Sequence, residues 1–338
     1  MWYNFSDTFI SNARQCLDNI AAKDGTFKVT DADTQADTTV QDNNMANFFT
    51  QNVNYLVINN YNFAATSQIV ATCKSKDVTT IFANTSSPSD DDFKSFDKLW
   101  YVSSASEQSG QNEGEELVDY LNANKDTWDR NGNGKVDYIL LEGSTTFSDT
   151  INRTSYSLAA IEAAGYTLGT NIGGQDVTGV KGGDFVQGVV CNFDRSQAQS
   201  NVEALLGNYG NDIDLIIADN DDEALGAIAA LQAHGYLVDK GDGTFDKYIP
   251  IVGVDATAAG CEAVKAGTLL GTSLNNPVTL SKSIYKLLTL LNAGKDVSTD
   301  SMGLDGVTVT GHKVIISYKK ITKDNLADAT YDIKDTNF

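Results

Sequence analysis

Residues 128–137, with the sequence WDRNGNGKVD, carry oxygen-bearing side chains at a spacing that could bind a metal ion. Counted from Asp129, carboxylate and amide side chains fall at positions 1, 3, 5 and 9, and Gly134 falls at position 6. This spacing is typical of the first three quarters of an EF-hand calcium loop, in which position 7 contributes its backbone carbonyl. A polar Asn-Gly turn without a metal is the alternative. The pattern predicts a calcium loop over 129–137.

Position 12 of this loop departs from the EF-hand pattern. An EF-hand has a bidentate glutamate there, on an outgoing helix. Here the position is Leu140, within the apolar run 136–141, whose β-branched and aromatic residues predict a buried strand. The loop is therefore expected to lead into a strand, and its bidentate carboxylate must come from elsewhere in the chain.

A second group of residues with binding chemistry follows the predicted strands. Carboxylates accept hydrogen bonds from sugar hydroxyls, amide and guanidinium groups donate to them, and aromatic rings pack on the apolar faces of a sugar ring. Because ligands of parallel sheets bind beyond the carboxyl ends of the strands, these side chains are expected to form one sugar site. The candidates are Asp7, Phe9, Asn84, Phe147, Asp149, Arg153, Phe193, Asn220, Asp255 and Asn275.

Each of these residues also has a structural alternative. Asp149 and Arg153 are four apart, which is the spacing of an exposed ion pair on a helix. Asn220 and Asp255 precede predicted helices and could be N-caps. Phe9 could belong to the core. The number of such positions at one predicted sheet edge favours a binding site.

The elements that must position these residues alternate between strand and helix, which predicts an α/β fold with parallel sheets covered on both faces. Glycine-rich stretches at 168–183 and 239–243 are expected to be surface excursions, the second a hairpin turn. The predicted strands are 27–29, 55–58, 79–82, 99–102, 136–141, 186–191, 213–218, 249–254, 269–274, 306–310 and 313–318. The predicted helices are 8–22, 36–51, 64–75, 105–124, 150–165, 195–207, 221–234, 257–267 and 278–292.

The composition limits the function classes. A net charge of −21 disfavours binding to nucleic acid or to an anionic membrane surface, because both are negatively charged. No run of eighteen apolar residues is present to span a membrane. The four cysteines lack zinc spacing and are expected to be buried free thiols, with one disulfide as the alternative. With two histidines, histidine catalysis is poorly supplied.

Several stretches together resemble a known family. The chain is similar, over nearly its whole length, to the periplasmic galactose/glucose-binding proteins, the substrate-binding components of ATP-driven (ABC) sugar importers. The stretches that carry this resemblance are WD at 128–129 with the metal loop, LLEG at 140–143, IDLIIADND at 213–221, GVDA at 253–256, GTSLN at 271–275 and KDNL at 323–326.

The resemblance implies roles for individual residues. Calcium would be held by Asp129, Asn131, Asn133, the Lys135 carbonyl and Asp137, with Asp214 replacing the family's bidentate glutamate. The sugar would be bound by Asp7, Phe9 and Asn84 in the first lobe, by Asp149, Arg153, Phe193, Asn220 and Asp255 in the second, and by Asn275 near the hinge. Phe193 stands where the family has tryptophan, and Phe147 where a histidine bonds the sugar, so the preferred sugar is left open.

The implied fold has two Rossmann-like lobes joined by a three-segment hinge, with the sugar in the cleft between them. The first lobe is expected over 1–103 plus 276–317 and the second over 104–275 plus 318–338. Family members begin with an export signal and a central strand that ends just before the position of Asp7. The first strand of the first lobe is therefore expected to be absent from this chain, with that strand and the signal encoded upstream of Met1.

The expected function is extracytoplasmic binding of D-galactose or D-glucose by a monomer, periplasmic or lipid-anchored, that delivers the sugar to an ABC importer permease. A chemoreceptor is a second partner that the resemblance allows. No catalysis is expected. Two alternatives remain: the sugar sensor of a transcriptional regulator, which would need a basic DNA-binding segment, and a carbohydrate-active enzyme with paired carboxylates such as Asp149 and Asp255.

Overall fold

A computed structural model of the protein describes residues 1–85 and 87–337. The chain divides into two compact units. Unit 1 comprises 1–105, 276–317 and the chain from Tyr331 onward, and unit 2 comprises 106–275 and 318–330. Sequence analysis had placed 318–338 entirely in the second lobe. The difference arises because the carboxyl-terminal segment packs on unit 1, where Asn12 donates a hydrogen bond to the Tyr331 hydroxyl and Lys282 pairs with Asp335.

The helices and strands are given in chain order. The first part of unit 1 contains α1 (Thr8–Asp24), α2 (Thr38–Thr50), β1 (Tyr55–Ile58), α3 (Thr66–Ser75), β2 (Thr79–Ala83), α4 (Asp90–Ser95) and β3 (Leu99–Ser104). Unit 2 contains α5 (Ser106–Ala123), β4 (Val136–Glu142), α6 (Ser148–Ala163), β5 (Leu168–Asn171), β6 (Val189–Val190), α7 (Arg195–Tyr209), β7 (Leu215–Ala218), α8 (Asp221–Ala233), β8 (Val238–Asp239), β9 (Phe245–Asp246), β10 (Ile251–Val254), α9 (Ala258–Ala266) and β11 (Gly271–Leu274). The chain then forms α10 (Pro277–Asn292), α11 (Thr299–Met302), β12 (Val307–Thr310) and β13 (Lys313–Ile316) of unit 1 and β14 (Lys319–Thr322) of unit 2, with 3-10 turns at Phe63–Ala65 and Leu326–Ala329.

The sheet of unit 1 has the strand order β1-β2-β3-β13-β12, in which only β12 is antiparallel to its neighbour. The amino-terminal residues extend this sheet beyond β1. The Met1 nitrogen donates to the Val57 carbonyl at 2.9 Å, and the Trp2 amide donates to Ala32 at 3.0 Å. Residues 1–3 therefore lie as a short parallel strand between β1 and the segment around Ala32, and the chain then enters α1.

A groove of about 950 Å³ continues from this short strand. Residues 26–31, residues 54–57 and Met1 are among those that line it. The apolar side chains of Leu17 and Phe48 form part of its lining. The groove is therefore flanked by two backbone segments, 26–31 and 54–57, next to the first residues of the chain.

The sheet of unit 2 has the order β14-β11-β10-β7-β4-β5, with β6 also beside β4. All neighbouring pairs are parallel except β14 with β11. The helices α5 and α6 pack closely because of two glycines. A Cβ atom at Gly110 would lie 2.6 Å from the Arg153 carbonyl oxygen, and one at Gly114 would lie 2.5 Å from that of Ser157. The close approach of the two helices therefore depends on the absence of a side chain at both positions.

Most predicted elements are present with shifts of one or two residues at their ends. The strand predicted at 27–29 is absent, since that segment forms a wall of the groove and has no partner strand on that side. The predicted strand 186–191 is reduced to β6, and the stretch at 168–183 begins with β5, which pairs with β4. The hairpin at 239–243 is confirmed by the pairing of β8 with β9. All four cysteines are free thiols.

Candidate functional site

Arg153 is the central cation at the carboxyl edge of the unit 2 sheet. It lies in α6 and is 4% exposed. Its guanidinium donates to the Asp219 carbonyl at 2.7 Å and to the Tyr318 hydroxyl at 3.0 Å. The interpretation of Arg153 and Asp149 as an exposed helix pair is wrong, because both side chains are buried. The contacts hold the guanidinium in one orientation from which it can donate to a hydroxyl-bearing ligand.

Asp149 lies one turn before Arg153 in α6 and is also 4% exposed. Burial raises the pKa of Asp149 to about 6, while the Arg153 charge and a hydrogen bond from Ser106 oppose the increase. Ser106 also accepts a hydrogen bond from Asn152 at 2.9 Å. The carboxylate can therefore accept hydrogen bonds at neutral pH in a position fixed by its neighbours.

Phe193 and Phe147 form the aromatic part of this edge. Their rings are stacked, with centroids 6.1 Å apart and an interplanar angle of 24°. Phe147 is fully buried, whereas Phe193 is partly exposed. Gly143 allows the ring of Phe193 to approach, since a Cβ atom there would overlap the ring. The partly exposed ring is therefore supported by an aromatic residue and by a glycine.

Asn220 follows β7 and is the N-cap of α8, where its side-chain oxygen accepts a hydrogen bond from the Glu223 amide at 2.9 Å. The capping alternative is thus correct for Asn220, and its amide nitrogen is still a donor with a fixed direction. For Asp255 the capping alternative is wrong, because Thr257 is the N-cap of α9. The Asp255 carboxylate instead accepts a hydrogen bond from Asn275 at 3.3 Å.

The turn that carries Asp255 is held by a buried carboxylate. Asp221 accepts hydrogen bonds from the Thr257 amide at 2.7 Å and from the Thr272 hydroxyl at 2.7 Å. Thr272 in turn accepts from the Ala256 amide at 3.1 Å. Burial raises the pKa of Asp221 to about 6, and its hydrogen bonds oppose the increase. These bonds fix the backbone on both sides of Asp255.

In unit 1 the candidate residues lie at the start of α1 and at the end of β2. Asp7 is the N-cap of α1 and accepts hydrogen bonds from the Ile10 amide at 2.8 Å and the Tyr3 hydroxyl at 2.5 Å. Phe9 is 5% exposed. Asn84 follows β2, and its backbone carbonyl accepts a hydrogen bond from the Ser103 hydroxyl at 2.5 Å. Because the strand at residues 1–3 is parallel to β1, these residues share the carboxyl edge of their sheet.

Residues with positive φ are frequent among these candidates. Asn84 has φ +67°, Phe193 has φ +58° and Asp255 has φ +110°, and the neighbours Asn192 and Ala256 also lie in this region. Such conformations are costly for residues with side chains and persist only where surrounding contacts impose them. Their concentration at the two sheet edges is independent support for a functional site there.

Three buried carboxyl groups lie next to the candidate residues of the unit 2 edge. Glu142, Asp219 and Glu223 are fully buried, and each has at least one carboxyl oxygen without a hydrogen-bond partner in the described structure. Burial raises the pKa of Glu142 to about 8 and that of Asp219 to about 7, and in both cases neighbouring carboxylates contribute. The composition and the strand pattern had not identified Glu142 or Glu223 as part of the site.

Other contributors to the site were also missed by sequence analysis. Tyr318 contacts Arg153 although the two residues are 165 positions apart, and no local pattern indicates such a contact. Ser106 is equally inconspicuous in the sequence. Asp219 could have been found, because it ends the strand before Asn220 at the predicted edge.

The predicted calcium loop is folded around the Asp129 carboxylate, which accepts hydrogen bonds from the amides of Gly132, Asn133 and Gly134 at 2.8–3.1 Å. Asp214 reaches the loop from the residue before β7. Its two carboxyl oxygens accept from the Arg130 amide at 2.9 Å and the Asp137 amide at 2.8 Å. The loop and the start of β7 are thus connected directly by hydrogen bonds.

The donor set of the loop fits calcium in type and number, with three carboxylates, two amides and one backbone carbonyl. The side-chain amides of Asn131 and Asn133 are not oriented for binding a cation. The side-chain nitrogens of Asn131 and Asn133 donate to Asp137 Oδ2 at 2.8 and 2.6 Å. Within the described part of the chain, no group of three or more His, Cys, Asp or Glu side chains has the geometry of a metal site. Calcium binding would therefore require both amides to turn their oxygens inward.

The parallel sheets and the polar and aromatic residues at their carboxyl edges define a class of α/β proteins that bind small polar ligands. The chain belongs to the family of the periplasmic binding protein domain, whose model matches residues 1–296. No helix of residues 1–85 or 87–337 has the length and apolar character needed to cross a membrane.

Individual relatives agree with this family. The chain is 29% identical to the D-galactose/methyl-galactoside binding periplasmic protein of Haemophilus influenzae over 96% of its length and 89% of that protein. It is 31% identical to a xylitol-binding protein of Mycolicibacterium smegmatis over 41% of this chain and 39% of that protein. A solved ABC transporter solute binding protein from Bacillus halodurans, with bound myo-inositol, has a TM-score of 0.70 and 25% identity and covers 96% of this chain and 94% of its own.

Proposed function

We propose that the protein binds a neutral monosaccharide outside the cytoplasm and delivers it to an ABC importer. The observation that carries the proposal is the group of Arg153, Asp149, Asn220, Asp255 and Phe193 at one sheet edge. It combines one cationic donor, amide donors, carboxylate acceptors and a supported aromatic ring, which are the groups that a polyhydroxylated ring requires. Asp7, Phe9 and Asn84, at the edge of the unit 1 sheet, are proposed as further sugar-binding residues.

D-Galactose and D-glucose are the proposed ligands, and for the first of them support comes from the similarity to the D-galactose/methyl-galactoside binding protein of Haemophilus influenzae. Two replacements change the site relative to the family. Phe147 lacks the hydrogen bond of the family's histidine, and Phe193 offers a smaller stacking face than the family's tryptophan. We propose that the protein is a monomer and binds the sugar without chemical turnover. It would then interact with an importer permease, and a chemoreceptor is a second proposed partner.

The proposal is tested by titrating the purified protein with D-galactose, D-glucose, L-arabinose, myo-inositol and xylitol in a calorimeter, with product analysis afterwards. We expect one-to-one binding of a hexose and recovery of the unchanged sugar. An Arg153→Met variant is expected to bind at least about tenfold more weakly, because hydrogen bonds to charged groups are worth about 1.5–3 kcal/mol. Absence of binding to every sugar of the panel, or release of a product, would contradict the proposal.

We further propose that the loop at 129–137 binds a structural calcium ion through Asp129, Asn131, Asn133, the Lys135 carbonyl, Asp137 and Asp214. Support comes from the donor types and from the loop, which is already wrapped around Asp129. Burial, together with the nearby charges of Asp137 and Asp129, raises the pKa of Asp214 to about 7, so a cation would relieve repulsion among these carboxylates.

Calcium is therefore expected to raise the melting temperature of chelator-treated protein. Saturation at 100 times the dissociation constant stabilises by about 2.7 kcal/mol, or roughly 5–10 °C for a unit of this size. The variant Asp129→Asn with Asp137→Asn should lose this response, whereas Asp242→Asn, in the exposed hairpin, should keep it. An unchanged melting temperature of the parent protein in millimolar calcium would show that the loop closes through its own hydrogen bonds.

A further inference from the structure

Glu223 connects two loops of the unit 2 edge that belong to different parts of the chain. It is the third residue of α8 and is fully buried. Its backbone amide donates a hydrogen bond to the side-chain oxygen of Asn220, the N-cap of the helix. Its carboxyl oxygen Oε1 accepts a hydrogen bond from the Phe193 amide at 3.1 Å, and Oε2 has no partner. Glu223 thus contacts Phe193 through its side chain and Asn220 through its backbone amide.

Phe193 needs such a contact because of its backbone. Asn192 and Phe193 have φ +54° and +58°, and a left-handed conformation is costly for a residue as bulky as Phe193. Gly143 and Phe147 lie against the ring of Phe193. The amide of Phe193 is held by Glu223, and the Gly143 amide is held in the same way by Asp219 at 2.9 Å.

We propose that Glu223 is a positioning residue that sets the place of the Phe193 ring at the sugar site, an inference that rests on the proposed function. Glu223 acts from below the sheet edge and does not need to touch the sugar. It fixes the left-handed turn at 192–193, and through the cap of Asn220 it links the direction of the stacking ring to that of a hydrogen-bonding amide. A carboxyl group is costly in a fully buried place, and the hydrogen bond from the Phe193 amide offsets part of this cost.

The test compares Glu223→Ala with Glu223→Gln, because glutamine keeps an oxygen that can accept the Phe193 amide. Sugar affinity is measured by calorimetry in both variants and again in the Phe193→Ala background. We expect Glu223→Ala to weaken binding about five- to hundredfold, because the Phe193 amide loses its acceptor, and Glu223→Gln to restore affinity to within about threefold. In the Phe193→Ala background the Glu223→Ala change is expected to have little further effect, since residues that act together are not additive.

Hydrogen exchange of the Phe193 amide gives a second readout that does not depend on a sugar. Protection should fall in Glu223→Ala and be kept in Glu223→Gln. Equal protection in the two variants, or additive effects of Glu223→Ala and Phe193→Ala on affinity, would overturn the inference. If the parent protein binds no sugar, the proposed function fails, and the exchange experiment still decides whether Glu223 holds Phe193.

Discussion

An apolar strand placed ahead of Met1 is expected to raise the melting temperature of the protein by roughly 6–12 °C. The groove of about 950 Å³ beside residues 26–31 and 54–57 continues from Met1. A five-residue strand there would bury several aliphatic side chains at about 1.5–3 kcal/mol each and gain hydrogen bonds, against about 1–2 kcal/mol per residue of ordering. A net gain of about 3 kcal/mol corresponds to the stated shift at about 2–4 °C per kcal/mol.

The amino group of Met1 adds to this expectation. It is buried, and burial lowers its pKa to about 6 although the charges of Asp31 and Asp18 oppose the decrease. In an extended chain the same nitrogen is an uncharged amide that keeps its hydrogen bond to the Val57 carbonyl. The extension therefore removes a buried ionisable group as well as filling the groove.

The experiment compares the parent with two fusions, Val-Ile-Val-Ile-Val before residue 1 and the same segment with prolines at its second and fourth positions. Proline lacks the amide hydrogen that pairing needs, so the control has the same length but cannot form the strand. Thermal melts and hydrogen exchange of residues 54–57 are the readouts. Equal melting temperatures for the two fusions would show that the groove does not accept a strand.

Lowering the pH from about 8 to about 5 is expected to stabilise the protein by a few kcal/mol. Burial raises the pKa of Glu116 and of Glu142 to about 8 and raises that of Glu113 well above its usual value, with nearby charges as smaller contributions. These folded-state pKa values lie above the unfolded ones, so the folded protein binds more protons between about pH 4.5 and 8. Stability therefore falls as the pH rises through this range.

Urea unfolding at pH 5, 6, 7 and 8 measures this dependence. The double variant Glu113→Gln with Glu116→Gln should be more stable than the parent at pH 8 and should show a flatter profile, because two of the buried ionisable groups are gone. Glu107→Gln, on the exposed face of the same helix, should follow the parent. A parent profile that is flat, or that rises toward pH 8, would contradict the assignment of these groups as buried and protonated.

The sequence predicted the alternation of helices and strands because buried parallel strands and amphipathic helices have distinct patterns. It did not predict β14 or β5, which are short and are defined by their partners β11 and β4 and not by their own composition. The segment 27–29 shows the opposite case. Its composition favours a strand, but a strand requires a neighbour, and the segment lines a groove instead.

The candidate site was predictable where chemistry follows a strand end. Arg153, Asn220 and Asp255 were found in this way, since the topology of a parallel sheet brings such positions together. Tyr318 and Glu223 were not, because their importance depends on contacts with residues far away in the sequence. The roles of capping residues could be decided only from the structure, which separates Asn220, a cap, from Asp255, whose helix is capped by Thr257.

The two glycines of α5 have a consequence for engineering. Replacing helical glycines by alanine is a common route to higher stability, worth about 1 kcal/mol each from helix propensity. At Gly110 this route is closed, because the added methyl group would meet the backbone of Arg153 at 2.6 Å. The helix pair would have to separate, and the guanidinium would move with it. The most helix-unfavourable residue in α5 thus sets the position of the cation at the neighbouring sheet edge, so a gain in intrinsic helix stability here would be made at the expense of recognition.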